Sequence, residues 1–361
     1  MATERGAVTA FRLAALAAAL AIVAAACGSG GATPTATVVG SQTASSVSEG
    51  PSLSGGATPT TSAAASLLPI PKLPNVAAMP SGKVIAWGDD TQGQTSIPKG
   101  LAKVVAISAG DQFSLALKSD GTVVGWGSDE SGQIDIPAGL SGVVAIAGGG
   151  THSLALKSDG TVVGWGDDTD SQATPPAGLT NVVAISAAGQ HSLALKSDGS
   201  VVAWGGNANG EASVPPGLSN VVAVAAGYDY SLALKSNGTV VAWGDKYPTD
   251  VPTGVAVVPA GLSGVIAIAA GYANNLVVKS DGSVFGWGAD EEGETDVPNS
   301  AAGVTAVAAG GSFSVALKSD GTVVAWGADD QNQTNVPAGT TGVLAIDAGA
   351  THALAIVGQA S

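Results

Sequence analysis

Cysteine is almost absent from this 361-residue chain, and the single one, Cys27, stands near the N-terminus. No intramolecular disulfide staples the fold, and the body of the chain holds no cysteine nucleophile. Basic residues are scarce too: 13 Lys and Arg face 28 Asp and Glu, for a formal charge of −15. That balance argues against a nucleic-acid partner, which needs basic surface to displace counterions. With three histidines in all, a base beside a serine nucleophile is not expected. Aromatic residues make up 4% of the chain, too few in the loops for stacking on polysaccharide. Long apolar runs are missing but for Leu13 to Ala26, whose 14 residues are too short to cross a bilayer comfortably as a helix.

That run follows Arg5 and Arg12 and reads as the core of an export signal over residues 1–26. Cys27 comes directly after Ala24-Ala25-Ala26. The arrangement resembles the lipobox of bacterial lipoproteins, which implies lipidation at Cys27 and an extracytoplasmic, membrane-anchored protein, with plain secretion as the alternative. Residues 27–74 are Gly, Ser, Thr, Ala and Pro with scattered valines, a composition that reads as a flexible spacer. The folded domain is expected over 75–361.

What the chain has in abundance is repetition. Its seven tryptophans, Trp87, Trp126, Trp165, Trp204, Trp243, Trp287 and Trp326, each precede glycine at gaps of 39, 39, 39, 39, 44 and 39 residues. A strand-rich repeat of about 40 residues has the length of one β-propeller blade. One unit runs Val221 to Gly227, then Ser231-Leu232-Ala233-Leu234, an Asn237-Gly238 turn, and Thr239-Val240-Val241-Ala242-Trp243-Gly244. Asn-Gly or Asp-Gly between apolar runs predicts a tight hairpin in which both residues take positive φ. The chain enters on a Trp-Gly strand, Gly82 to Gly88, and leaves on the two other strands, ending at Ile356. Joined, these predict an all-β, seven-bladed propeller closed by strands from both ends of the repeat array. The tryptophans read as packing elements between blades.

The Ala225-Ala226-Gly227, Ser231-Leu232-Ala233-Leu234 and Ala242-Trp243-Gly244 motifs resemble the repeat of the regulator of chromosome condensation family. Within it the pattern is closest to bacterial β-lactamase-inhibitory protein II, over about 82–357. The resemblance implies a propeller. It is weaker for function, because one fold hosts many activities. The inhibitor binds through aromatic-rich loops, and loops such as 89–94 here carry no aromatic residue, so its inhibitory residues are not transferred.

Strand order sorts the loops onto two faces. Lys118, Lys157, Lys196, Lys235, Lys279 and Lys318 fall at one end, called the bottom. Asp89, Asp90, Asp129, Glu130, Asp167, Asp168, Asp290, Glu291, Glu292, Asp329 and Asp330 gather at the top. All four tyrosines lie between 228 and 272, and Tyr247 sits in the enlarged loop that causes the 44-residue gap. Aromatics on the loops of a rigid scaffold favour protein interfaces. The candidate binding residues are therefore Tyr228, Tyr247, Tyr272, Asp290, Glu291 and Glu292. His152, His191 and His352 share a repeat position with Phe113, Tyr230, Asn274 and Phe313, so they read as packing residues rather than a metal triad. No catalytic residue, metal or cofactor is assigned. The expected function is a monomeric interaction module for a protein partner of basic character. An inhibitor of a β-lactamase or cell-wall enzyme, or a glycan-active enzyme using top-loop carboxylates, are the alternatives.

Overall fold

The computed structural model describes residues 67–245 and 254–358. Across them one three-strand pattern recurs. The first strand of each repeat is β2 (Val104–Ala109), β5 (Val143–Gly148), β8 (Val182–Ala188), β11 (Val221–Ala226), β14 (Val265–Ala270), β17 (Val304–Ala309) or β20 (Val343–Ala348). The second is β3 (Phe113–Lys118), β6 (His152–Lys157), β9 (His191–Lys196), β12 (Tyr230–Lys235), β15 (Asn274–Lys279), β18 (Phe313–Lys318) or β21 (His352–Gly358). The third is β1 (Gly82–Gly88), β4 (Val123–Gly127), β7 (Val162–Gly166), β10 (Val201–Gly205), β13 (Val240–Gly244), β16 (Val284–Gly288) or β19 (Val323–Gly327). The architecture is all-β, built of repeated antiparallel three-stranded sheets. β1 pairs with β21 at seven positions, from Gly82↔Gly358 to Gly88↔His352, and touches β2 only at Gly82↔Val104.

The Leu-Ala-Leu signature explains how sheets stack. Side chains alternate across a strand, so the leucines face one neighbouring sheet and the alanine faces the other. Leu115 and Leu117 of β3 lie in one cluster with Ala155 and Trp165 of the next repeat, while Ala116 lies with Leu354 and Ile356 of β21. Large side chains of one sheet thus seat on the small residue of the next, which lets the sheets approach closely. Phe113, Leu115, Ala116 and Leu117 have no exposed surface. Each first strand shifts register after its first residue, a bulge that adds twist. First strands of successive repeats adjoin one another, and β20 adjoins β2.

Two expectations need revision. In the Lys-Ser-Asp-Gly turns only the glycine takes positive φ, as at Gly121 (80°), and Asp120 is absent from the positive-φ residues. Gly121 N–H donates to the Lys118 carbonyl and Lys118 N–H to the Thr122 carbonyl, so the loop is longer than a two-residue turn. The aspartate serves through its side chain instead: Asp120 Oδ1 accepts from Thr122 N–H at 3.1 Å and from the Thr122 hydroxyl. Those bonds, the hydroxyl first, hold its carboxyl well below the usual range. Secondly, the described unit begins at Leu67, so residues 67–74, expected in the spacer, lie on the repeats. Leu68 N–H donates to the Ser236 carbonyl at 2.6 Å. Ile70, Leu73, Val76 and Met79 then pack successively against the clusters around Leu232, Leu154 and Leu115.

Candidate functional site

Much of the repeat chemistry proves to be a seam between sheets. Six of the seven tryptophan indole N–H groups donate to a backbone carbonyl 32 residues earlier, as Trp126 to Gln94 at 2.8 Å and Trp204 to Gln172 at 2.9 Å. Five of these six carbonyls also accept a serine hydroxyl from 20 residues later, as from Ser114 at 2.8 Å and Ser192 at 2.9 Å, and the sixth, Val255, accepts the Asn275 amide. Trp87 reaches Gln333 in the same way at 2.9 Å. These indoles are buried and engaged, so they are not a ligand surface.

The shared histidine position belongs to this seam. His152 Nε2 meets the Ser192 hydroxyl at 2.9 Å, His191 meets Ser231 at 2.9 Å, and His352 meets Ser114 at 3.0 Å. Tyr230, at the same position, donates its hydroxyl to the Asn274 carbonyl at 3.0 Å. Burial pulls the imidazoles of His152 and His352 down to about 4 and that of His191 to about 3, so all three are neutral. The turn glycines exist to admit these rings. A Cβ on Gly110 would enter the Phe113 ring, and one on Gly149 would enter the His152 ring. Ala188 is the one exception, and there β8 runs one residue further, with the tight turn passed to Gly189 at φ 45°.

Most top-loop carboxylates are also engaged within their own loops. Asp90 Oδ1 accepts the Thr95 N–H at 2.9 Å, and Asp168, Asp290 and Asp329 do likewise five residues on. Asp89 accepts from Thr91, Gln94 and Thr351. Burial raises its pKa, but these bonds outweigh that and leave it lowered. The acidic residues are therefore largely loop-closing devices.

What stays open lies where the first-strand turns meet. Tyr228 and Tyr272 stack with ring centroids 4.6 Å apart, tilted by 42°, and are 42% and 37% exposed. Beside Tyr272 is Asp111, on the turn after β2. It lines both a groove of about 520 Å³ on the top face and a cavity of about 170 Å³ bounded by the first strands of all seven repeats. Burial pushes the Asp111 carboxyl up to about 6, against a lowering hydrogen bond from Tyr272. Tyr272 in turn is raised by burial and then by the Asp111 charge. Deeper in the cavity, Asp347 Oδ2 accepts the Ala109 N–H at 2.9 Å, and burial raises it to about 6 as well.

The sequence-predicted site is therefore only partly assembled. Tyr228 and Tyr272 come together, whereas Asp290, Glu291 and Glu292 are exposed and do not line the groove. Tyr247 and Cys27 lie outside the described residues. Asp111 and Asp347 were missed. Their signal was substitution within the repeat: Asp111 stands where Gly150 and Tyr228 do, and Asp347 where Ser108 and Ser186 do. Among the described residues, no group of three His, Cys, Asp or Glu side chains is placed to hold a metal ion.

Six segments, 104–133, 143–172, 182–211, 221–246, 265–294 and 304–333, match the regulator of chromosome condensation (RCC1) repeat. Five of them run from the opening valine of a first strand to a Gln or Glu whose carbonyl accepts a Trp indole N–H, joined by a Ser hydroxyl in all but Gln333. The chain contains six RCC1 repeats. No curated protein matches it in sequence. Among solved structures, Prp20p from Saccharomyces cerevisiae is similar, with TM-score 0.66 and 18% identity over 79% of this chain and 93% of that one. Human WBSCR16 follows at TM-score 0.60 and 16% identity, covering 77% and 99%. The ectodomain of the Physcomitrella patens receptor kinase CR4 gives TM-score 0.56 and 25% identity, covering 67% and 68%. These likenesses place the RCC1 repeats here in a propeller fold.

Proposed function

We propose that this RCC1-repeat chain is a seven-bladed propeller, anchored outside the cytoplasm by a lipid on Cys27, that binds a protein partner through its top face. The observation that carries the binding reading is the exposed Tyr228–Tyr272 stack, of which Tyr272 lines the top groove. Paired, rigidly held tyrosines supply contact area at low entropic cost and are favoured at interface centres. The seven-blade reading is supported by the β1–β21 pairing and by the contacts from the last repeat to the first, His352 to Ser114 and Asp347 to Ala109. Lipid anchoring rests on the Arg5 and Arg12 flank, the apolar run and the position of Cys27.

The neighbouring structures favour binding over catalysis. Prp20p has binding properties toward Gsp1p and histones, and the yeast RCC1 is also seen bound to Kap60. The partner of this chain is protein, and the acid excess of the chain favours one of basic character. A second reading, inhibition of a β-lactamase or cell-wall enzyme, draws on the Ala-Trp-Gly and His-Ser-Leu-Ala-Leu pattern. A glycan-active enzyme is disfavoured because top-loop carboxylates such as Asp90 and Asp168 are committed to backbone N–H groups.

Crosslinking at the native cell surface tests the proposal, comparing the full chain with its Tyr228→Ala, Tyr247→Ala, Tyr272→Ala triple variant. The expected outcome is recovery of a protein partner by the parent and at least tenfold less by the variant. Equal recovery by a folded triple variant refutes the top-face site. Stoichiometric inhibition of a cell-wall enzyme by the purified chain would favour the second reading.

A further inference from the structure

Asp111 is anomalous among the carboxylates of the top face. Asp89 and Asp330 are held by donors from their own surroundings, such as Gln94 and Gln333. Asp111 instead lies half-buried, lining both the top groove and the axial cavity together with Tyr272. No Lys, Arg or His lines either space. Among the described residues no arginine exists at all, and Lys118, Lys157, Lys196 and Lys318 are paired with aspartates in the bottom turns. A desolvated carboxylate without a counter-ion is costly, and a guest cation removes that cost.

Next to this carboxylate stands an aromatic surface. Tyr272 lines the groove and the cavity together with Asp111, while its ring stacks on Tyr228 and remains more than a third exposed. An aromatic face attracts a cation, and a planar guanidinium can lie on a ring while its N–H fork meets a carboxylate. An ammonium is more strongly hydrated and lacks that fork. The groove, at about 520 Å³, has room for one long side chain with its flanking backbone.

From this geometry, and resting on the top-face reading above, we propose that the site formed by Asp111 and Tyr272, with Tyr228 stacked on Tyr272, receives a single arginine side chain of the protein partner. Asp111 pairs with the guanidinium, and the tyrosine stack covers one of its faces. The aspartate supplies charge selectivity and the rings supply affinity for a flat cation.

The test uses the full chain and a labelled peptide, acetyl-Gly-Ser-Arg-Ser-Gly-amide, followed by fluorescence anisotropy in 0.15 M salt. The matching peptides carry lysine or the neutral isostere citrulline. Arginine is expected to bind at least tenfold more tightly than citrulline and several-fold more tightly than lysine. Asp111→Asn and Tyr272→Leu should each weaken the arginine peptide about tenfold. Asp170→Asn, which removes one exposed charge outside the groove, should leave it unchanged. Equal binding of arginine and citrulline, equal binding of arginine and lysine, or no binding of arginine overturns the proposal. So does an Asp111→Asn chain that binds like the parent, or an Asp170→Asn chain that weakens as much, since that would be diffuse attraction. If Asp111→Asn still recovers the cell-surface partner while the tyrosine variant does not, the top-face reading stands and the arginine is lost.

Discussion

Replacing His152 by phenylalanine should make this protein more resistant to acid. The side chain is fully buried, its Nε2 faces the Ser192 hydroxyl, and its Nδ1 has no partner. Phe113 and Phe313 occupy the same repeat position under the same kind of turn glycine, so the benzyl group fits. Ser192 keeps its bond to the Gln172 carbonyl, and the change at pH 7 should stay within about 1 kcal/mol. The acid limb is different. Burial lowers the folded pKa of His152 from 6.5 to about 4. Between those values the unfolded chain binds a proton that the folded chain refuses, so the parent loses stability as pH falls below 6.5. From pH 7 to pH 5 that loss is about 2 kcal/mol for this one histidine, saturating near 3 kcal/mol below pH 4. The variant has no such loss, and Asp111, Asp347 and the loop carboxylates titrate alike in both proteins and cancel. Urea unfolding followed by tryptophan fluorescence at pH 7, 6 and 5 should show the gap widening in the variant's favour by that amount. A gap that stays constant over this range would refute the reasoning that the histidine is held neutral by burial.

Three further outcomes follow from the packing. Gly110→Ala drives a methyl into the Phe113 ring and should cost about 1–3 kcal/mol, whereas Ala188→Gly, where β8 already turns one residue later, should cost no more than about 1 kcal/mol; thermal melts of the two variants check this. Leu115→Ala empties the seat over Ala155 and Trp165 and should cost about 2–5 kcal/mol in the same assay. A chain beginning at residue 67 should melt several degrees above one beginning at 80, because Ile70, Leu73, Val76 and Met79 cover three consecutive repeats; equal melting points would show the segment to be idle.

The strands were legible because their signals are local. Leu-Ala-Leu alternation, a glycine closing the first strand and Trp-Gly closing the third all sit within a few residues of the structure they specify, and the strands fall where the periodicity put them. The positive φ expected of each Asp in the Asp-Gly turns was not found, because the carboxylate can serve the turn by accepting Thr122 N–H without leaving ordinary backbone space. The acidic top loops misled for a related reason. A count of carboxylates says nothing about which are already satisfied, and Asp90, Asp168 and Asp329 are spent on backbone N–H groups five residues on.

By itself the sequence determined the repeat, its length, its strand content and the small-and-large alternation that lets one sheet seat on the next. It also determined that tryptophan, serine and the histidine position recur in phase, since phase is a property of spacing alone. Only the tertiary structure decided what they do, because each indole and hydroxyl meets a carbonyl of a neighbouring repeat. It alone set Asp111 beside Tyr272, on turns of repeats far apart in the chain, and left that carboxylate without a basic neighbour. Burial and pairing depend on what surrounds an atom in space, and no local pattern encodes them.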